Sequence, residues 1–131
     1  MAPRPHRPRH DLWSAREGAT AIEFAFVAPV LFAILFGVIE FGRLMWTQSA
    51  LHFAVEAAAR CASVTPSVCG TSAQIQTYAA AEVSALNIPT SAFTPSTPAC
   101  GHQVSASFTF QFVATALFPF TPTLTAQACF A

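Results

Sequence analysis

The sequence predicts an α+β protein: a long apolar N-terminal helix that crosses a membrane, then a small exported domain with a second helix and an antiparallel sheet. Three observations predict it. An almost unbroken apolar run extends from Ala19 to Trp46, arginines cluster before that run, and two segments near the C-terminus alternate apolar and polar residues. The 131 residues leave room for about one domain beside the run. Only 9% of residues are charged and none is lysine, far below the roughly 25% of an ordinary soluble domain. So low a charge favours association over independent life in water.

The tail "MAPRPHRPRHDLWSAREG" comes first. It holds Arg4, Arg7, Arg9 and Arg16 against Asp11 and Glu17, although the whole chain has a net charge of zero. Its prolines are expected to prevent regular helix. Positive residues stay on the cytoplasmic side, so residues 1–18 are expected inside and the C-terminal part outside. Four arginines without interleaved aromatics do not make a nucleic-acid arm, and no nucleic-acid partner is expected.

The apolar run reads as a spanning helix over residues 19–46. From Phe24 to Ile39 there are sixteen residues without a charge. The 28 residues from Ala19 to Trp46 make a helix about 42 Å long, against a hydrocarbon core of about 30 Å that needs about 20 residues. Lipid is therefore an expected partner. Glu23 and Glu40, about 25 Å apart along the axis, reach the two interfaces by snorkelling. Glu40 and Arg43 share a face, and Arg43 and Trp46 are interfacial anchors. Pro29 frees the carbonyl of Ala25, a local bend that membrane helices tolerate. A cleaved secretory signal fits badly, because its apolar core is about 7–15 residues and ends in a small-x-small site; "EFGRLMW" follows here instead.

Past Trp46, residues 47–131 form the exported domain. Leu44, Leu51, Val55, Ala58 and Ala62 keep one face of the helix apolar to about Val64, with Glu56 and Arg60 as an i,i+4 pair. "TPSVCG" turns the chain. Thr71 and Gln74 make a capping box for a second helix to Leu86, with Ile75, Ala79, Val83 and Leu86 inward. "TSAFTPSTPACG" reads as a loop with two turn signals. "VSASFTFQF" then alternates, with Val104, Ala106, Phe108, Phe110 and Phe112 on one face. "LTAQACF" alternates too, with Leu124, Ala126, Ala128 and Phe130 inward. The intervening "FPFTPT" makes these two strands antiparallel neighbours.

Glu23 sits where a carboxylate is expensive, since an ionised group at the bilayer midplane costs about 2.5–3.5 kcal/mol on insertion scales. The stretch that contains it, "EGATAIEFAFVAPVLFAILFGVIEFGRLMWTQSALHFAVEAAARCASV", resembles the N-terminal signature of TadE-like proteins, the minor pseudopilins of the Flp (tight-adherence) pilus assembly system. Gly18, Glu23-Phe24, Pro29, the "FGR" at Phe41 to Arg43 and "EAAARCA" carry the resemblance over about 50 residues; the terminal "LTAQACF" resembles the family more loosely. The resemblance implies a pilin-like architecture in the bacterial inner membrane, with the C-terminal domain in the periplasm. It also implies cutting by a prepilin peptidase after glycine, between Gly18 and Ala19. Glu23 and Phe24 then become processing and docking residues near a new N-terminus. The amine of Ala19 lies an i,i+4 step from Glu23, and it or its equivalent on a neighbouring subunit is the partner the carboxylate lacks. Other pilins, pseudopilins and pilus assembly proteins are the implied partners.

Cys61, Cys69, Cys100 and Cys129 all fall on the exported side. An oxidising compartment and an even count predict disulfides. Three connectivities are open, of which proximity favours Cys61–Cys69 and Cys100–Cys129. Cys129 points away from the phenylalanine face, so Cys100 must lie before the strand or beside a bulge. "CGH" brings His102 near Cys100, but no second pair completes a metal site. No cofactor is expected, and neither is enzyme activity. The exported part has no aspartate or lysine, no phosphate loop and no nucleophile motif. Two readings remain: a pilus or secretion-machine assembly component, and a membrane-anchored periplasmic interaction module with an uncut leader.

Overall fold

The computed structural model describes residues 12–131, with side chains from Gly18 onward except that of Ala19. The expectations for the tail before Leu12 lie outside the described residues. Two compact units divide the chain, one ending at Gly37 and one covering Val38–Ala131.

Helix α1 (Leu12–Val64) is 53 residues long and includes Pro29. It begins before the end of the basic leader, which corrects the expectation of an irregular tail up to Gly18. The prolines stop at Pro8, and "LWSAREG" has no residue that forbids a helix. Within the C-terminal unit, Leu51, Ala54, Val55, Ala58, Ala59 and Ala62 are all buried. Their spacing of three and four residues makes one stripe, and four of the six are alanines, which let other elements approach closely. At Val64 the helix stops, because Pro66 opens a separate short turn, α2 (Pro66–Cys69). Proline suits that first position, where its missing N–H is not needed.

Helix α3 (Ser72–Glu82) starts on the expected capping box. Thr71 Oγ1 accepts from the Gln74 N–H and Gln74 Oε1 accepts from the Thr71 N–H. Ile75, Ala79 and Val83 are buried as read, with Leu86 packed against the core. The α-helix ends four residues sooner than expected. A single 3-10 turn, Ser84–Leu86, finishes it, closed by Asn87 at φ 51°, a left-handed conformation that asparagine tolerates.

Three antiparallel strands follow in the order β1-β2-β3: β1 (Phe93–Ser96), β2 (His102–Thr109) and β3 (Thr123–Phe130). The segment read as a loop therefore contains β1. Pro95 concealed it, yet proline is admissible on an edge strand because one side of its backbone needs no partner. Phe93 is fully buried there, and its carbonyl accepts from Gln76 Nε2 of α3 at 2.9 Å.

The inner face of β2 and β3 shows Val104, Ala106, Leu124 and Ala126 as expected, all joined in one core with the α1 stripe. Gln48 Nε2 and Ser63 Oγ of α1 donate to the Thr125 and Phe130 carbonyls of β3. Two departures occur at the strand ends. Phe110 and Phe112 are buried, but the ladder stops at Thr109 and they belong to the following loop. Phe130 is 40% exposed rather than inward. Its carbonyl meets Ser63 in the last turn of α1, where the helical cover of the sheet runs out.

Disulfides join Cys61 to Cys69 and Cys100 to Cys129, with Cα separations of 5.7 and 6.3 Å. The first ties the end of α1 to α2; the second ties the turn before β2 to β3. That turn needs Gly101, whose φ of +115° and close approach to the Phe130 carbonyl leave no room for a Cβ. Protein unfolded without reductant in a thiol-blocking reagent should show no free thiol and should yield peptides cross-linked in these two pairs. Peptide mass mapping checks it, and four alkylated cysteines would refute it.

Candidate functional site

The N-terminal part of α1 displays the residues that sequence reading singles out. Gly18 and Glu23 are exposed, and Phe24 is 69% exposed. A Cβ added at Gly18 would meet nothing within 4 Å, so no packing among the described residues requires glycine there. Ile22, Phe26, Val27, Val30 and Leu31 are at least half exposed as well. A helical surface this apolar has no place in water, and α1 is long and apolar enough to cross a membrane.

In the C-terminal unit a second group of residues comes together around Glu40. Glu40 is 4% exposed, so its carboxylate is covered by protein rather than extended into solvent. It keeps the expected partner: Arg43 Nη1 lies 2.7 Å from Glu40 Oε2. The other oxygen, Oε1, accepts from the backbone N–H groups of Val113 and Ala114 at 2.8 and 3.2 Å. Three donors thus satisfy a carboxylate that burial alone would disfavour. Arg43 in turn lies over the Phe110 ring, 5.4 Å from its centroid, a distance at which the ring quadrupole attracts a cation. Thr47, buried at 4%, returns its hydroxyl to the Arg43 carbonyl at 2.9 Å.

This arrangement fixes the segment between β2 and β3. Phe110, Phe112, Phe118 and Phe120 form a chain of ring contacts with centroids 5.0–6.3 Å apart, within the range of favourable aromatic pairs. The Phe110 N–H donates to the Pro122 carbonyl, closing the base of the loop. Sequence reading found the Glu40–Arg43 pair but not the loop it holds. Backbone donors leave no side-chain signature, so the sequence does not point from Glu40 to the loop.

The other expected pair, Glu56 and Arg60, does not form an ion pair; both line a groove with Phe53, Val64, Tyr78 and Phe130. Glu82, one helical turn from Tyr78, holds the phenol above its ordinary pKa, chiefly by its negative charge. Cys100 is joined to Cys129, and the backbone of His102 pairs opposite Phe130 in the β2–β3 ladder.

Among the described residues one helix is long and apolar enough to span a membrane, and it leads into a small α+β unit stapled by two disulfides. Over residues 18–60 the chain matches the family model described as TadE-like protein. The matched stretch is about a third of the 131 residues and contains Gly18, Glu23, Phe24, Glu40 and Arg43. No curated protein and no solved structure matches the chain.

Proposed function

We propose that this chain is a minor pseudopilin-type assembly component of a Tad pilus or a related secretion machine. In this reading α1 anchors it in the bacterial inner membrane, with the arginine-rich leader in the cytoplasm and the α+β domain in the periplasm. A prepilin peptidase removes the leader between Gly18 and Ala19, and the exposed apolar face of the mature helix packs against other pilins or pseudopilins. One observation carries the reading: the TadE-like match begins at Gly18 and leads directly into a helix of spanning length. The open surroundings of Gly18 support it further, since a small residue at the scissile position matters to a protease and not to packing among the described residues.

Processing gives the direct test. Protein recovered from membranes of cells with an active prepilin peptidase should begin Ala19-Thr20-Ala21-Ile22-Glu23 on N-terminal sequencing. Chains that still begin at Met1 or Ala2 would reject processing and favour an anchored interaction module with an uncut leader.

A further inference from the structure

We propose that the loop between β2 and β3, residues 110–122, rests on the lipid surface where α1 leaves the bilayer, so that the exported domain touches the membrane at a second point. The loop's composition is the first ground. "FQFVATALFPFTP" contains no charged residue, and neither does any other part of the chain from Gly101 to Ala131. Val113 is 77% exposed, Leu117 50% and Phe120 58%, beside the buried Phe110 and Phe112. An exposed cluster of this kind marks an interaction surface.

Its position is the second ground. The Val113 and Ala114 N–H groups are held by Glu40, and Arg43 covers Phe110. The loop therefore lies beside residues 40–43 of α1. A span that starts near Ala19 uses up about 20 residues in the hydrocarbon core, which brings residues 39–43 to its far boundary. On α1 itself Phe41 and Trp46 are 62% and 71% exposed at that level. The loop continues the same apolar band, and aromatic residues favour such interfaces.

The hydrogen bonding is the third ground. Irregular backbone is tolerated near lipid only where its polar groups are satisfied by protein. Glu40 does this for two successive N–H groups, and the Pro122 carbonyl does it for Phe110.

The inference rests on the reading of α1 as a membrane span, and the test separates the two. The full chain with Trp13→Phe and Trp46→Phe is reconstituted in phosphatidylethanolamine–phosphatidylglycerol vesicles. A single indole is then introduced by Phe120→Trp, by Val113→Trp or, inside the span, by Phe32→Trp. The Phe120→Trp and Val113→Trp indoles should shift to the blue, resist iodide and lose most of their emission to lipids brominated near the headgroup. The Phe32→Trp indole should be quenched most by bromines near the bilayer centre. Loop indoles open to iodide, beside a quenched Phe32→Trp, would overturn the inference and leave the span intact. Loop indoles shielded from iodide yet untouched by brominated lipid would overturn it in favour of cover by a second copy. Failure to quench Phe32→Trp would overturn both readings.

Discussion

Glu40→Leu is expected to destabilise the C-terminal unit by about 2–3 kcal/mol. Each backbone N–H left without an acceptor costs about 1–3 kcal/mol where water cannot replace the bond. The substitution strands two of them, at Val113 and Ala114. The Arg43 contact adds little to that sum, because its side chain is 45% exposed and water takes over its solvation. Leucine recovers part of the loss by filling the site with apolar surface. For a unit of this size the net effect corresponds to a drop of roughly 10–20 °C in Tm. Glu40→Gln should cost less, because an amide oxygen still accepts from the loop while the charge is gone. Near-UV circular dichroism of the full chain in detergent, followed through thermal unfolding, checks the order wild type, Gln, Leu. A leucine variant as stable as the wild type would mean that the loop is held by its aromatic contacts alone.

How far the fold was legible follows from the kind of signal each part leaves. Alternation over several residues announced β2 and β3, and their antiparallel pairing followed from the proline-containing connection, although that connection is longer, residues 110–122, than the "FPFTPT" read as the loop. Thr71 and Gln74 announced the start of α3 because a capping box is local, with both partners three residues apart. The cysteine pairs that proximity favours are those the structure joins. Strand β1 left no such mark. Four residues with a proline at the third position do not alternate long enough to be read, and the strand exists because β2 offers an edge and Phe93 a buried anchor. Glu40 is the clearest case of a role beyond sequence reading. Its decisive partners are backbone groups 73 and 74 residues away, and any residue except proline supplies an N–H. The sequence placed Glu40 and Arg43 on one face, while only the tertiary fold turned that pair into a clamp on the loop.

Glu23→Gln is expected to abolish assembly while leaving the protein present and processed. The substitution keeps the shape of the side chain and removes its charge. In the proposed mature chain the new amine of Ala19, or its equivalent on a neighbouring subunit, needs a counter-charge once it is drawn into an apolar helical assembly. Breaking a buried pair by neutralising one member costs about 3–5 kcal/mol, because the other charge stays behind without compensation. A loss of that size weakens a subunit contact by roughly a hundred-fold to a few thousand-fold, enough to empty an assembly that forms at modest concentration. Insertion moves the other way, since removing a carboxylate from the apolar run lowers the cost of entering the bilayer. Cleavage is expected to persist, because Gly18 and the helix that presents it are unchanged. The opposite signs make the experiment informative. A deletion strain complemented with the Glu23→Gln chain would be scored for surface pili or adherence, with processing and membrane level followed on a blot. Normal abundance and processing with lost pili would assign Glu23 to docking. Wild-type pili from the same processed protein would leave Glu23 as a charge that merely reaches the cytoplasmic interface.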